Sequence, residues 1–222
     1  MKIIKFFALT LLLLTVQNCS FYGIAGNGKI VTKKITNIKN ITDIKSSGAY
    51  DLEIYFADST EIEITGDENL LPFMTFKIKD NKLIIDSEES LNPSEKIKIK
   101  IVTPSLNSLY LSGAFDVNIH DIRGEKFTLD CGGATDVDIS GKVEDFFVDV
   151  SGSSEIDAAN LEAENVKIDI SGASDITVFV TKKLFIDASG AASINYLGNP
   201  RLVNSSTSGA VEVNKIHESE KE

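Results

Sequence analysis

The chain has 222 residues, of which 42% are hydrophobic and 25% charged, so it can bury a core and is neither disordered nor fibrous in composition. Its formal net charge of −11 makes nucleic acid and anionic membrane surfaces poor partners. Two cysteines, two histidines and no tryptophan leave few groups for metal or nucleophilic chemistry.

The first 18 residues predict a secretory signal peptide. Lys2 and Lys5 precede an apolar run from Phe6 to Val16 that contains no acidic residue. A charged start followed by a short apolar segment is the layout of such a signal. The run is far shorter than the roughly 20 residues that a membrane-spanning helix needs, so we expect residues 1–18 to be removed.

Cys19 directly follows the signal, at the position where a bacterial lipoprotein carries its acylated cysteine. The segment Val16–Cys19 resembles a lipobox, with Asn18 in place of the usual small residue. Several acyl chains on Cys19 would hold the protein at a membrane durably. An ordinary signal peptide cut nearby is the alternative. If Cys19 is lipidated, residues 19–28 form a linker from the lipid anchor.

Cys131 is then left without a disulfide partner. We predict that it is a small buried residue outside any disulfide framework.

Residues 29–111 have the composition of strands but no clean repeat. Short segments rich in isoleucine and leucine occur at Glu61–Gly66, Leu83–Asp86 and Lys96–Ile101. The polar stretch 88–94 between them is typical of a surface loop. We therefore predict irregular β rungs or a packed cap in this half of the chain.

A repeated signature, Ser-Gly-Ala-x-Asp, dominates residues 112–215 and has one earlier copy at Ser47–Asp51. From Gly113 onward, successive copies are 18 to 20 residues apart. A glycine at a corner supplies a backbone conformation that other residues resist. The turn-forming glycines of the repeats are Gly48, Gly113, Gly133, Gly152, Gly172, Gly190 and Gly209.

A short alternating strand precedes each glycine, as in Val166–Ile170, so one face points to a core and the other to water. A unit of about 19 residues cannot bury its apolar face alone, whereas stacked copies share one core. We therefore predict an all-β fold, a right-handed parallel β-helix (solenoid) with rungs of about 19 residues. A sandwich of antiparallel hairpins is the alternative, and residues 216–222 are interpreted as a charged tail.

Acidic residues recur at fixed positions of the repeat. Stacked at about 4.8 Å, neighbouring carboxylates would repel each other by about 1 kcal/mol in a water-like dielectric. Either a bound cation such as calcium relieves this repulsion, or each carboxylate faces solvent and salt. The first column is the candidate cation ladder, Asp116, Asp136, Glu155 and Asp175, and the second is Asp130, Asp149, Asp169 and Asp187.

The sequence does not predict an enzyme, and it predicts no cofactor and no defined metal site. Neither His120 nor His217 lies in an arrangement typical of a catalytic triad or a zinc site. Aromatic residues near the corners have two interpretations, either as caps over a small core or as rings that stack on a sugar. These aromatic residues are Tyr50, Phe115 and Tyr196.

Taken together, several short motifs resemble those of a known family, the putative auto-transporter adhesin, head GIN domain family. The resemblance spans roughly Asn27 to Lys215 and implies a β-helical body on an exported, often lipidated protein, with adhesion suggested by the family's name. It implies no catalytic residues. The motifs are Gly26–Ile30, Ser47–Leu52, Ile64–Leu71, Asn81–Ile85 and the later Ser-Gly-Ala-x-Asp series.

These features predict an exported, lipid-anchored surface or envelope protein that works as a binding module in the adhesin class. Its partners would be the membrane, through the lipid on Cys19, and a protein or glycan ligand. We expect an outer-membrane location, on the periplasmic or the cell-surface side. The alternatives are a structural envelope protein that assembles with copies of itself and a β-helical carbohydrate-active enzyme.

Overall fold

The computed structural model describes residues 23–36, 38 and 40–217. The predicted signal peptide, Cys19 and residues 218–222 of the predicted tail lie outside the described residues. Regular structure in the described part is β-strand, apart from a single 3-10 turn at Leu71–Phe73. The all-β prediction is therefore confirmed.

Eleven strands are described. In chain order they are β1 (Ile24–Ala25), β2 (Ile30–Ile35), β3 (Asp43–Phe56), β4 (Glu61–Asp67), β5 (Met74–Lys79), β6 (Lys82–Ser87), β7 (Leu91–Asn92), β8 (Ile97–Thr103), β9 (Ser108–Val150), β10 (Ser153–Leu197) and β11 (Leu202–Lys215).

Alternation of apolar and polar residues determines which side of each strand is buried. In β8, for example, Ile97, Ile99 and Ile101 are buried, and the lysines between them are exposed. Successive side chains of a strand point to opposite faces, so this pattern places all three isoleucines on the core side. The same alternation continues through β9 and β10.

The C-terminal half is a parallel stack. Strand β3 pairs in parallel with β9, β9 with β10, and β10 with β11. Paired residues of β9 and β10 are 19 or 20 positions apart in sequence, which is the length of one repeat. The antiparallel sandwich considered as the alternative is therefore wrong for this part of the chain. A right-handed β-helix stays a prediction.

One column of glycines runs along this stack. Each repeat glycine after Gly48 lies against the backbone of the preceding one, so closely that a methyl group would overlap its carbonyl oxygen. Gly113 and Gly133 both belong to β9, so the chain returns to the same line after one repeat. The φ angles of Gly152 and Gly172 lie outside the left-handed region, so there close approach alone requires glycine. The column consists of Gly48, Gly113, Gly133, Gly152, Gly172, Gly190 and Gly209.

The N-terminal half continues the stack out of chain order. Strand β3 has β9 along one edge, and its other edge is shared by β6 and β8. Asp43–Ser46 pairs with β6 and Tyr50–Phe56 with β8, both in parallel. The layer beside β3 is thus built from strands that follow it in sequence.

Antiparallel strands cover this end of the stack. Strand β4 pairs with β8, β2 with β4, and β5 with β6, all antiparallel. The buried carboxylate of Asp67 holds two loops there, because it accepts hydrogen bonds from the Gly28 N–H at 2.7 Å and from the Ser94 N–H and hydroxyl at 2.8 and 2.7 Å. Burial acts to raise the pKa of Asp67, but these hydrogen bonds outweigh it and lower the pKa.

The core follows the stack as one continuous cluster of aliphatic and aromatic side chains. Phe127 and Phe146, from successive repeats, stack with their centroids 5.8 Å apart. The prediction that Cys131 is buried without a disulfide partner is confirmed. Burial raises the pKa of its thiol to about 11, so the thiol is inert at neutral pH.

The glycine column yields a stability prediction. We expect Gly172→Ala to lower the free energy of unfolding by about 1–3 kcal/mol, because its methyl group would overlap the carbonyl oxygen of Gly152. Gly124→Ala is the control, since a methyl group there would meet no atom closer than 3.9 Å, and we expect a change within about 0.5 kcal/mol. Urea denaturation measures both variants. Equal stability of Gly172→Ala and the wild type would contradict the close approach.

Candidate functional site

Outward-pointing side chains that follow the glycine column form a continuous acidic surface. Its rows are in register, because Asp51 pairs with Asp116 and Asp136 with Glu155. A second row two residues further on pairs Asp138 with Asp157. We call this surface the acidic face, and it consists of Asp51, Glu53, Asp116, Asn118, Asp136, Asp138, Glu155, Asp157 and Asp175.

All four residues of the candidate cation ladder lie on this face and are exposed. They are Asp116, Asp136, Glu155 and Asp175. Within the described residues, no three histidine, cysteine, aspartate or glutamate side chains are grouped so that they could hold a metal ion. The ladder thus presents exposed carboxylates that can accept hydrogen bonds.

A lysine relieves the repulsion at one end of the acidic face. The Nζ of Lys96 lies 2.9 Å from Oδ1 of Asp51 and also forms an ion pair with Asp116. Further along the face, burial raises the pKa of Asp138, and the negative charges of Asp157 and Asp136 raise it further. The negative charges in the middle of the face therefore lower the stability of the folded protein.

The second acidic column lies on the other side of the glycines. Asp149 pairs in register with Asp169, whose carboxylate accepts a hydrogen bond from Lys167 at 2.6 Å. Burial raises the pKa of Asp130, and the charge of Asp149 raises it further, whereas Lys45 lowers it. Lys45 and Lys167 thus compensate part of the negative charge of this column.

An aromatic pair stands beside the acidic face, near its N-terminal end. The rings of Tyr55 and His120 stack with centroids 4.5 Å apart and an angle of 14° between their planes. The Nζ of Lys100 lies 4.7 Å from the centre of the Tyr55 ring, and the Tyr55 hydroxyl donates to Glu53 at 3.1 Å. Contacts on both sides thus hold the tyrosine ring in place.

A groove of about 380 Å³ opens along this pair. One wall is the corner at Asp121, whose φ of 57° is rare for a residue other than glycine. Its N–H donates to the hydroxyl of Ser140, one repeat further on, at 3.1 Å. We call this the aromatic groove, and it is lined by Tyr55, Phe56, Pro104, His120, Asp121 and Arg123.

The aromatic residues proposed from sequence occupy different places. Tyr50 and Phe115 are only 3% and 1% exposed and meet edge to face with centroids 5.9 Å apart. The sugar-stacking interpretation of these two is therefore wrong, because both rings cap the core. Tyr196 is half-buried and packs against the core.

Sequence reasoning did not find the pair of Tyr55 and His120. Both residues stand seven positions after a repeat glycine, Gly48 and Gly113 respectively. Aligning those two copies beyond the Ser-Gly-Ala-x-Asp signature would have placed the rings side by side, because the two glycines are paired in register.

The sequence profile of the putative auto-transporter adhesin, head GIN domain family matches residues 40–200. The chain belongs to this family. The predicted resemblance is therefore confirmed over that span. A comparison with curated proteins finds no match.

Solved structures of bacterial proteins share the fold. A putative adhesin from Bacteroides fragilis NCTC 9343 is 23% identical with a TM-score of 0.71, over 87% of this chain and 100% of that one. A putative adhesin from Parabacteroides distasonis ATCC 8503 is 20% identical with a TM-score of 0.53, over 86% and 99%. A third, from Parabacteroides merdae ATCC 43184, is 22% identical with a TM-score of 0.50, over 87% and 98%. At these identities the likeness establishes the fold alone.

The raised pKa of Asp138 yields a prediction about pH. The folded protein holds this proton more tightly than the unfolded chain does, so ionisation of Asp138 lowers stability. That loss is present above the folded pKa and disappears below the unfolded value of about 3.9. We therefore expect Asp138→Asn to raise Tm at about pH 7 and to leave it unchanged at about pH 3.

Thermal unfolding followed by circular dichroism at the two pH values measures this effect. The control is Glu125→Gln, which removes one charge from an exposed position away from the acidic face. An equal rise in Tm for both variants would mean that net charge, and not the burial and charged neighbours of Asp138, causes the change.

Proposed function

We propose that the protein is an exported, lipid-anchored binding module that holds its ligand on the acidic face and catalyses no reaction. The observation that carries this proposal is the register of β3, β9 and β10, which aligns carboxylates of successive repeats on one surface. Membership of an adhesin family supports it. Aligned single carboxylates accept hydrogen bonds from hydroxyl and amine donors, so the ligand would be a glycan or a protein with a basic surface.

The scaffold we propose for this face is a right-handed parallel β-helix with one repeat per rung. Two observations support it: parallel pairing between residues one repeat apart, and the stacking of the repeat glycines. Connections between parallel strands of one sheet are right-handed in about 98% of cases, which favours this hand.

Absence of catalysis is proposed from the surroundings of the histidines. His120 stacks on Tyr55, and His217 is exposed near the C-terminus. Cys131 is buried with a raised pKa, so it is not available as a nucleophile. The described residues therefore offer binding groups and no activated nucleophile.

Attachment to the outer membrane through a lipid on Cys19 completes the proposal. Its support is the charged and apolar segment that precedes Cys19 in the sequence. In the part of the chain that the structure describes, no helix is long and apolar enough to cross a bilayer. A lipid would hold the module at the membrane surface and leave the acidic face free to meet a ligand.

Fractionation of cells tests the anchor. We expect Cys19→Ser to release the protein from the membrane fraction, because it removes the acylated thiol. Cys131→Ala is the matched control, since it removes the other cysteine from the core and should leave the protein in the membrane fraction. Immunoblots of membrane and soluble fractions measure the distribution. Retention of Cys19→Ser in the membrane would refute lipid anchoring.

Neutralising the acidic face tests the binding function. We expect the triple variant Asp136→Asn, Glu155→Gln, Asp175→Asn to reduce attachment of protein-coated beads to glycan-coated and matrix-coated surfaces at least tenfold. The control is Asp149→Asn, Asp169→Asn, Asp187→Asn, which removes the same charge from the second column and should attach like the wild type. Equal loss in both triples would mean that net charge alone governs attachment, against the proposal.

Self-assembly is the second candidate, and the open end of the stack favours it. Strand β11 pairs only with β10 among the described strands, and its Leu202 and Val203 are 45% and 41% exposed. An uncovered strand edge is a template for pairing with another chain. Association that rises with protein concentration in sedimentation, and is lost in Val203→Lys, would support a homo-oligomeric envelope protein.

A further inference from the structure

We propose that the aromatic groove binds an acidic saccharide, with Arg123 pairing with the carboxylate of the sugar. This inference rests on the proposed binding function and names the ligand class for one end of the acidic face. The groove brings together planar rings, a proline, a guanidinium and a carboxylate within about 380 Å³. That volume lies within the range of small-molecule sites, roughly 300–1,000 Å³.

The apolar part of the groove suits the C–H surface of a sugar ring. Tyr55, Phe56, Pro104 and His120 line it together. The Tyr55 and His120 rings are nearly parallel, with 14° between their planes, and form one stacked aromatic wall. Binding sites for small ligands typically combine such apolar walls with a few convergent polar groups that set orientation.

The polar part of the groove is suited to a charged sugar. Within the described residues, neither the guanidinium of Arg123 nor the carboxylate of Asp121 has an ion-pair partner, and Arg123 is exposed. A guanidinium binds a carboxylate through two parallel hydrogen bonds. The Asp121 carboxylate can accept hydrogen bonds from sugar hydroxyl groups.

Charge distribution favours an acidic over a neutral saccharide. The chain has a net charge of −11, and Arg123 is one of only two arginines, the other being Arg201. The cation Lys100 also lies beside the groove, 4.7 Å from the Tyr55 ring. An acidic saccharide can therefore form an ion pair with Arg123 that a neutral saccharide cannot form.

The wall that carries Asp121 and Arg123 is formed before any ligand arrives. Asp121 keeps its left-handed backbone because its N–H is bound to Ser140 of the next repeat. Non-glycine residues remain in such conformations only where their surroundings hold them, and they cluster at binding sites. A wall held in this way loses little entropy on binding.

Saturation-transfer NMR and calorimetry on the purified full-length protein test the inference. The probes are disaccharides that contain galacturonate, glucuronate or N-acetylneuraminate, together with their neutral galactose and glucose counterparts. We expect the wild type to bind at least one acidic probe, and to bind the neutral counterpart at least tenfold more weakly. Arg123→Gln and His120→Ala should each reduce the affinity at least tenfold.

A matched control separates the groove from general effects. Arg201→Gln removes the other arginine, which does not line the groove, so it should bind like the wild type. Because Arg123 is exposed, Arg123→Gln should unfold at the wild-type temperature and gives a result even where His120→Ala fails to fold.

Three outcomes would overturn the inference: no binding of any acidic probe, equal binding of neutral and acidic probes, or equal losses in Arg123→Gln and Arg201→Gln. Bead attachment distinguishes this failure from failure of the proposed function. Attachment that depends on the acidic face, without saccharide binding, would refute the groove and leave the binding module intact. Saccharide binding by the groove, together with bead attachment that does not depend on the acidic face, would refute the role of the acidic face and leave the groove as a binding site.

Discussion

Close approach of backbones along the glycine column is the constraint on which the rest of the structure depends. A side chain at any of these positions after Gly48 would overlap the carbonyl oxygen of the preceding repeat glycine and force the layers apart. Separated layers would lose the ladder of hydrogen bonds that joins β3, β9, β10 and β11. Because the column sets the register, it also sets which side chains of successive repeats lie beside each other.

Register has opposite consequences on the two sides of each strand. Inside, it aligns apolar side chains such as Phe127 and Phe146 into one core. Outside, the same alignment brings carboxylates of successive repeats together, and the pKa of Asp138 is raised first by burial and then by the charges of Asp157 and Asp136. Lys96 relieves this repulsion at one end only. A surface that holds like charges at a cost in stability is characteristic of function, because stability alone would select neutral residues there.

The repeated signature made the stacking of the C-terminal half predictable. The N-terminal strands lack this signature, so their pairing could not be predicted. Cys131 was predicted to be buried as a small residue without a partner, whereas strand alternation could have placed Tyr50 and Phe115 inside, since each lies one position before an outward aspartate. By contrast, β6 and β8 carry no copy of the signature. Nothing local indicates that they complete the layer beside β3, because that pairing joins segments whose order in space differs from their order in the chain.

Strand content, the repeat and the family were determined by the sequence itself, because a period of two, a recurring glycine and a motif order are local features of the chain. The candidate ligand sites were decided by the tertiary structure. Tyr55 and His120 are 65 residues apart and meet only because Gly48 stacks on Gly113. Pro104 reaches the same groove from just after the end of β8, whereas Arg123 follows His120 in β9. Contacts of this kind depend on the register between strands, which no single segment encodes.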